Sequence, residues 1–494
     1  MYSDIHMSLR PRPGAELAQA RLAAQARRDL AALAHPATEW VQPLPEVAGR
    51  EVRDVVIVGA GQAGLVVGLA LKREGVRNVL LLDRNPAGYA GPWDTFARME
   101  TLRTPKTLVG VELGIPSLSA KAWFEATYGP EAWEQITWIP RRDWMRYLRW
   151  YRTIAELDIS NEVEVTGIAP DGRLLCIKTD NGDVLARRLV IATGHDAGGS
   201  WAVPEIVSEN LPPQVYVHSN QAIDFTAMKG LRAGVLGHGG SAFDAGLAAV
   251  AAGAVSVDLC YRRPRLPIVN PHRWLEWSAF LAHYRDLDDR TRWNVGRHFD
   301  LEDQPPPRHT FERARAEPRL KVHGASPWLH VAWTGSEIEV TTDHRSFAFD
   351  RVICATGVRY GLDQRPELQG IVDDIALWSD RYTPPPEEAH PELGKLPYLG
   401  RHFELLEKRP GTAPWLANIF AFNFSGMVSM GPVASSITGH RYGVPRVVRG
   451  ITRSLFLEQA DAVLPSLRDF AEPEIDPAAA VAYNPPTPLA ADGS

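Results

Sequence analysis

Two copies of one motif, a buried strand, a glycine turn and a helix of small residues, stand 178 positions apart (Gly59 and Gly237) in this 494-residue chain, and they end in opposite charges. The first reads DVVIVGAGQAGLVVGLALKREGVRNVLLLDR, turns on Gly59, Gly61 and Gly64, and closes on Asp83 and Arg84. The second reads LRAGVLGHGGSAFDAGLAAVAAGAVSVDLCYRR, turns on Gly237, Gly239 and Ala242, and closes on Arg262 and Arg263. In such a unit the first glycine takes the tight bend, the second lets the backbone approach a pyrophosphate, and the third small residue lets helix pack on strand. The phosphates then meet free groups at the helix N-terminus, where Ser241 stands in the second copy and where the dipole favours negative charge.

The closing charge says which dinucleotide each copy suits. Asp83 lies 19 residues past Gly64, and a carboxylate there accepts hydrogen bonds from an unmodified ribose and repels a 2′-phosphate. The first copy therefore suits FAD or NAD. Arg262 lies 20 residues past Ala242, and paired guanidiniums complement a phosphate by charge and by fork geometry, which suits NADPH. The competing reading makes Arg262 and Arg263 ordinary surface charges at a strand end.

The length exceeds what one core usually supports, so two or three domains are expected. Apolar content of 45% and charged content of 23% are those of an ordinary globular protein, and a net charge of −6 gives no reason to expect nucleic acid. No apolar run has membrane-spanning length and no signal-peptide core opens the chain, so a cytoplasmic protein without a membrane partner is expected. Cys176, Cys260 and Cys354 stand far apart, which excludes a redox disulfide beside a flavin and reads as three buried small hydrophobes. The histidines lack metal-ligand spacing, and no metal site is expected.

Along the chain, residues 1–50 read as a helical arm, with Leu17, Leu22, Ala24, Leu30 and Leu33 on its apolar face, and a proline-rich linker. Two runs, ARRLVIATG ending at Gly194 and FAFDRVICATG ending at Gly357, repeat a buried strand entering a small-residue turn, each after a strand pair. They bracket the second nucleotide unit. The fold expected is α/β with two dinucleotide-binding, Rossmann-like domains: 51–215 and 351–470 form the FAD domain, 216–350 is an NADPH domain inserted in it, and 471–494 is a disordered tail. The block SLSAKAWFEATYGPEAWEQITWIPRRDWMRYLRWYR holds five tryptophans from Trp123 to Trp150, mostly core aromatics, with Arg141 and Arg142 as candidate contacts to a phosphate or acidic substrate. The late run NIFAFNFSGMVSMGPVASSITG suits close approach of a flavin ring.

The ordered set GAGQAG, Asp83, GPW at Gly91–Trp93, ATG at Ala192, His218-Ser219, GHGGSA, Arg262-Arg263 and ATG at Ala355 resembles the class B flavoprotein monooxygenases over residues 52–440. The resemblance implies an enzyme that binds FAD and NADPH, reduces the flavin by hydride, adds oxygen at the flavin C4a, and transfers one atom to a small organic substrate by N- or S-oxygenation or Baeyer–Villiger chemistry. It also implies that Trp93, Met99 and Glu100 approach the isoalloxazine, that Thr193, Gly194, Thr356 and Gly357 line the cofactors, and that Arg103, Met99 and His218 are the catalytic candidates. Each has a plain structural reading: Trp93 as a packed aromatic, His218 as a domain-junction residue, and Arg103 as a salt-bridge partner rather than a group facing a flavin peroxide or substrate carboxylate. A nucleotide-binding redox sensor without oxygenase activity and a flavin dehydrogenase remain the alternatives. The subunit count is open, a homo-oligomer included.

Overall fold

Residues 52–58 are β-branched and apolar, and they form the central strand of the first sheet for that reason. The structure is a computed structural model that describes residues 9–33, 39–108, 110–275 and 277–477; most of the C-terminal tail expected to be disordered lies outside them. Helix α1 (Ala15–Ala32) packs on the body through Ala15, Ala23 and Ala26. Leu17 and Leu33, expected on its buried face, are 58% and 51% exposed. Small alanines allow close approach, and Gln19 then reaches the Thr127 hydroxyl at 2.8 Å.

The first unit continues through β1 (Val52–Val58), α2 (Gln62–Arg73), the fully buried β2 (Val79–Asp83) and β3 (Thr101–Pro105). After these come α3 (Arg141–Ala155), β4 (Asp158–Asn161), the antiparallel hairpin β5 (Val165–Asp171) and β6 (Leu174–Thr179), and β7 (Val184–Ile191). The order is β4-β2-β1-β7-β6-β5, parallel among the first four. The aromatic block packs as read, with Trp123, Trp133, Trp144 and Trp150 buried in the same core as β1 and β2.

A second, all-parallel sheet takes β8 (Tyr216–His218), β9 (Arg232–Leu236), β10 (Ser256–Cys260), β11 (Leu320–His323) and β12 (Arg351–Cys354) in the order β8-β12-β9-β10-β11. Helix α4 (Gly240–Ala251) follows β9. The chain then returns: β13 (Ile419–Ala421) pairs in parallel with β7, and α5 (His440–Glu458) packs behind it. Thus the second sheet uses only residues 216–354, while the first draws strands from both sides of that span. Before β12 stand three antiparallel strands, 330–333, 338–341 and 346–349, where the sequence suggested a pair.

One excursion departs from the sequence reading. Residues between β10 and β11 pack against the return segment of the first unit. The fully buried Arg292 donates to Ser429 O at 2.9 Å, lies 5.1 Å from the Trp378 ring and 5.6 Å from that of Tyr398, and pairs with Asp289. Tyr284 donates to Val428 O at 3.2 Å, and Trp293 joins Trp378, Leu393, Leu396 and Val428 in a separate core. Among the described residues no helix is long and apolar enough to cross a membrane.

Candidate functional site

The two glycine turns share one hydrogen-bond plan. Gly59 N donates to Leu82 O at 2.7 Å, and Ala192 N donates to Val58 O at 2.9 Å. In the second unit Gly237 N donates to Cys260 O at 3.0 Å, and Ala355 N to Leu236 O at 2.8 Å. Gly59 and Gly237 adopt φ of 104° and 144°, and a Cβ on either would come within 2.6 Å of Ala192 O or 2.3 Å of Ala355 O. This explains the two ATG runs. Each alanine carbonyl occupies the place of the missing side chain, and Gly194 and Gly357 (φ 85° and 80°) turn the chain away with open space before them.

At the first turn a Cβ on Gly64 would lie 1.9 Å from Gly59 O. Asp83 organises the same turn: its Oδ2 accepts from Ala60 N at 2.8 Å, and its Oδ1 from the backbone and side chain of Asn85 at 2.9 and 3.1 Å. Beside Gly61 runs a cleft lined by Ala60, Leu65, Gly88, Ala90, Met145 and Arg149. Arg149 donates to Gly88 O at 2.8 Å and pairs with Asp94 at 2.6 Å. Arg141, a candidate ligand contact, instead donates to Met99 O at 2.9 Å and lies 3.5 Å from Asp94, so both arginines brace the loop carrying Trp93 and Met99. Two buried polar atoms on this side, Trp93 Nε1 and Thr193 Oγ1, have no hydrogen-bond partner.

At the second turn Ser241 is exposed on the first turn of α4. Arg262 is exposed and its side chain has no partner among the described residues, whereas Arg263 donates to Leu301 O at 2.8 Å. His238, inside the turn, lies 2.9 Å from Asp303, whose φ is 62°. The paired His238 and Asp303 were missed in the sequence because 65 residues separate them. Cys260 and Cys354 are buried, and burial pushes their thiols up to about 11 and about 12; Cys176, only half-buried, hydrogen-bonds Asp183 at 3.5 Å.

Among the described residues no hydrogen bond or ion pair joins the catalytic candidates His218, Met99 and Arg103 directly, although His218 N and Arg98, next to Met99, both bond Gln221. His218 is 1% exposed, stacks on Trp201 with ring centres 5.8 Å apart, and accepts from Asn220 N at 3.2 Å. Burial pushes its imidazole down to about 4, so it is neutral at pH 7. It stands where the chain crosses between sheets, in register with Cys354, two residues before Thr356, which donates to Ala202 O. Glu100 is exposed and pairs with Arg313 at 2.5 Å. Arg103 reaches from β3 to the second turn, where it pairs with Asp244 of α4 at 3.3 Å. With Arg98, which donates to Gln221 O at 2.9 Å, residues 98–103 touch the second unit at three points. A small apolar cavity lies between the excursion and the return, lined by Tyr284, Gly296, Phe299, Met427 and Pro432, with the His272 imidazole also on its wall. Burial pushes His272 down to about 4.

Comparison with known proteins places this geometry. A family model for pyridine nucleotide-disulphide oxidoreductases matches residues 56–276. The chain is 40% identical over 441 residues to the FAD-dependent urate hydroxylase of Xanthomonas campestris pv. campestris, covering 89% of this chain and 93% of the relative. Among solved structures, ornithine hydroxylase of Pseudomonas aeruginosa superposes with a TM-score of 0.64 at 16% identity, covering 82% of this chain and all of that one. L-lysine 6-monooxygenase of Pseudomonas syringae gives a TM-score of 0.62 at 18% identity, covering 81% of this chain and 99% of that one. The last two likenesses are of fold.

Proposed function

The chain belongs to the class B flavoprotein monooxygenases, and we propose that it holds FAD at the first glycine turn and NADPH at the second and hydroxylates urate or a closely related purine. The observation that carries the substrate is the 40% identity, spread over nine-tenths of the chain, to a urate hydroxylase. The domains we assign are 51–215 with 351–470 for FAD and 216–350 for NADPH, in a cytoplasmic enzyme.

The residues present fit both groups. At the first turn, no side chain can stand at Gly59 or Gly64, which leaves the α2 N-terminus bare for a pyrophosphate. Asp83 already accepts three hydrogen bonds, and a carboxylate offers about four lone-pair positions, so one remains for a ribose hydroxyl. The orphaned Trp93 Nε1 and Thr193 Oγ1 are donors awaiting an acceptor, and a flavin ring edge carries acceptors. We assign Arg84 and Gly61 to the same adenosine and phosphate side, and Met99, Gly194 and Trp93 to the ring. At the second turn we assign Gly237, Gly239 and Ser241 to the pyrophosphate, Arg262 and Arg263 to the 2′-phosphate, and Thr356 and Gly357 to the nicotinamide side.

Bound flavin supplies the electrons that activate oxygen. The chain supplies position and exclusion of water: the brace of Arg141, Arg149 and Asp94 fixes the Trp93–Met99 loop, and the neutral His218 closes the crossover without adding charge. Purified protein should carry FAD, identified after release by denaturation, and should oxidise NADPH in step with loss of urate. NADPH oxidation that yields only hydrogen peroxide in the presence of urate and related purines would reject the hydroxylase reading.

A further inference from the structure

Arg103, which the sequence left open between facing a flavin peroxide or substrate carboxylate and forming a salt bridge, makes an ion pair, and its guanidinium stands on the backbone of the other nucleotide unit. A Cβ placed on Gly240 would lie 2.2 Å from Arg103 Nη2, so the guanidinium packs directly against the first residue of α4. One residue earlier, a Cβ on Gly239 would meet nothing within 4 Å, so the space before the turn is open. Of the five N–H groups that a guanidinium carries, only one at Nη2 is engaged among the described residues, with Asp244 at 3.3 Å. The Arg103 side chain is 32% exposed and that of Asp244 is 9% exposed.

From this geometry we propose that Arg103, supplied by the first unit, clamps the pyrophosphate of the nicotinamide dinucleotide held at the second turn. The inference rests on the assignment of a dinucleotide to that turn. A pyrophosphate at the α4 N-terminus brings two negative charges toward the buried Asp244, which lies on the first turns of the same helix. Arg103 offsets that carboxylate and has free donors left for phosphate oxygens, which a guanidinium binds by its fork. Because Arg103 sits on β3, which follows the Trp93–Met99 loop, the second dinucleotide then grips both units at once. Arg103 is in this sense a positioning residue for the hydride donor, not a group acting on the substrate.

The test is equilibrium binding of NADP+, NAD+ and 2′-AMP to the oxidised, flavin-loaded protein, followed by calorimetry. Arg103→Ala should weaken NADP+ and NAD+ by the same factor, about tenfold or more for one lost charge-assisted contact, and leave 2′-AMP, which lacks the 5′-phosphates, unchanged. Arg103→Lys should fall between, since it keeps the charge and loses the fork. Asp244→Asn should bind NADP+ as well as the wild type or better, and the double variant Asp244→Asn, Arg103→Ala should stay as weak as Arg103→Ala alone. If the double variant recovers wild-type affinity, Arg103 serves only to neutralise Asp244 and the clamp is wrong. Equal weakening of 2′-AMP would also overturn it, because the damage would then be to the whole turn. Wild-type protein that binds NADP+ no better than 2′-AMP would instead remove the dinucleotide assignment itself.

Discussion

The first and second glycine turns follow one hydrogen-bond plan and differ in what obstructs them. At the first, the forbidden position is Gly64, whose missing Cβ would sit 1.9 Å from the carbonyl of Gly59, backbone against backbone. At the second, the equivalent position accepts the methyl of Ala242, and the tight spot moves to Gly240, where the obstacle is the tip of a side chain, Arg103. Both turns are closed by backbone at their first glycine, but beyond it the first is closed by backbone again, whereas the second meets only a side-chain tip that can yield. That suits a first cofactor held through every turnover and a second that must arrive and leave.

The largest effect should come from testing this contrast directly. Gly64→Ala cannot be relieved by a rotamer change and should cost ~3 kcal/mol or more, as severe overpacking does, with flavin lost on purification. Gly240→Ala needs the tip of Arg103 to shift, which loosens its pair with Asp244 while the better helix propensity of alanine offsets part of the loss, so it should cost about 1–2 kcal/mol, less than Gly64→Ala. Chemical denaturation and flavin content check both. Equal losses in the two variants would break the contrast.

Acid should act on the first unit's return segment almost as strongly. His440, on α5, is fully buried between Phe422 and Ala434 O, and burial pushes its imidazole down to about 4. The unfolded chain titrates near 6.5 and so binds the proton more readily. This contribution is therefore fully present above about pH 6.5 and is lost as pH falls toward 4, to a limit of roughly 3 kcal/mol. The buried His218 and the half-buried His272 are shifted the same way. Stability measured between pH 7 and 4.5 should fall, and His440→Gln should flatten that fall at the cost of lower stability at neutral pH.

Next in size is the closing charge that first set the turns apart. Replacing Arg262 and Arg263 by alanine should raise the KM for NADPH roughly tenfold to a hundredfold, about 1.5–3 kcal/mol for charge-assisted contacts, and leave NADH little changed. Among the described residues Arg262 makes no contact that stability could depend on and Arg263 gives up only an exposed hydrogen bond to Leu301 O, so the unfolding midpoint should barely move. An equal loss with both dinucleotides would return these arginines to ordinary surface charges.

What could be read in the sequence was local. The spacing of Gly59, Gly61, Gly64 and Asp83 is set by one turn and one βαβ unit, so sequence distance stands in for spatial distance. The aromatic block was legible as core because tryptophans in such density must bury one another. The ATG runs were legible as a repeat, though not as the carbonyl platforms beneath Gly59 and Gly237. What escaped depended on pairs far apart in the chain: Arg103 with Asp244, His238 with Asp303, Arg292 with Ser429. Neither periodicity nor propensity records that the excursion after β10 leaves its own sheet to pack on the return. The face of α1 was legible only in part: Leu22 and Leu30 pack against the core, but Leu17 and Leu33 are exposed and the buried positions are alanines, which close packing selects over size.

The smallest effect sharpens the comparison at the seam between the turns. Glu100 and Arg313 lie 2.5 Å apart, but their side chains are 56% and 38% exposed, whereas Asp244, the partner of Arg103, is nearly buried. Water screens the first pair and pays back most of what is lost on breaking it, so Glu100→Gln should change stability by at most ~0.5 kcal/mol and NADP+ affinity less than about twofold. The same surface therefore holds two ion pairs of equal formal charge and unequal worth. If Glu100→Gln weakens NADP+ as much as Arg103→Ala does, the seam acts as one electrostatic unit, and the special place given to Arg103 by its contact with Gly240 would be lost.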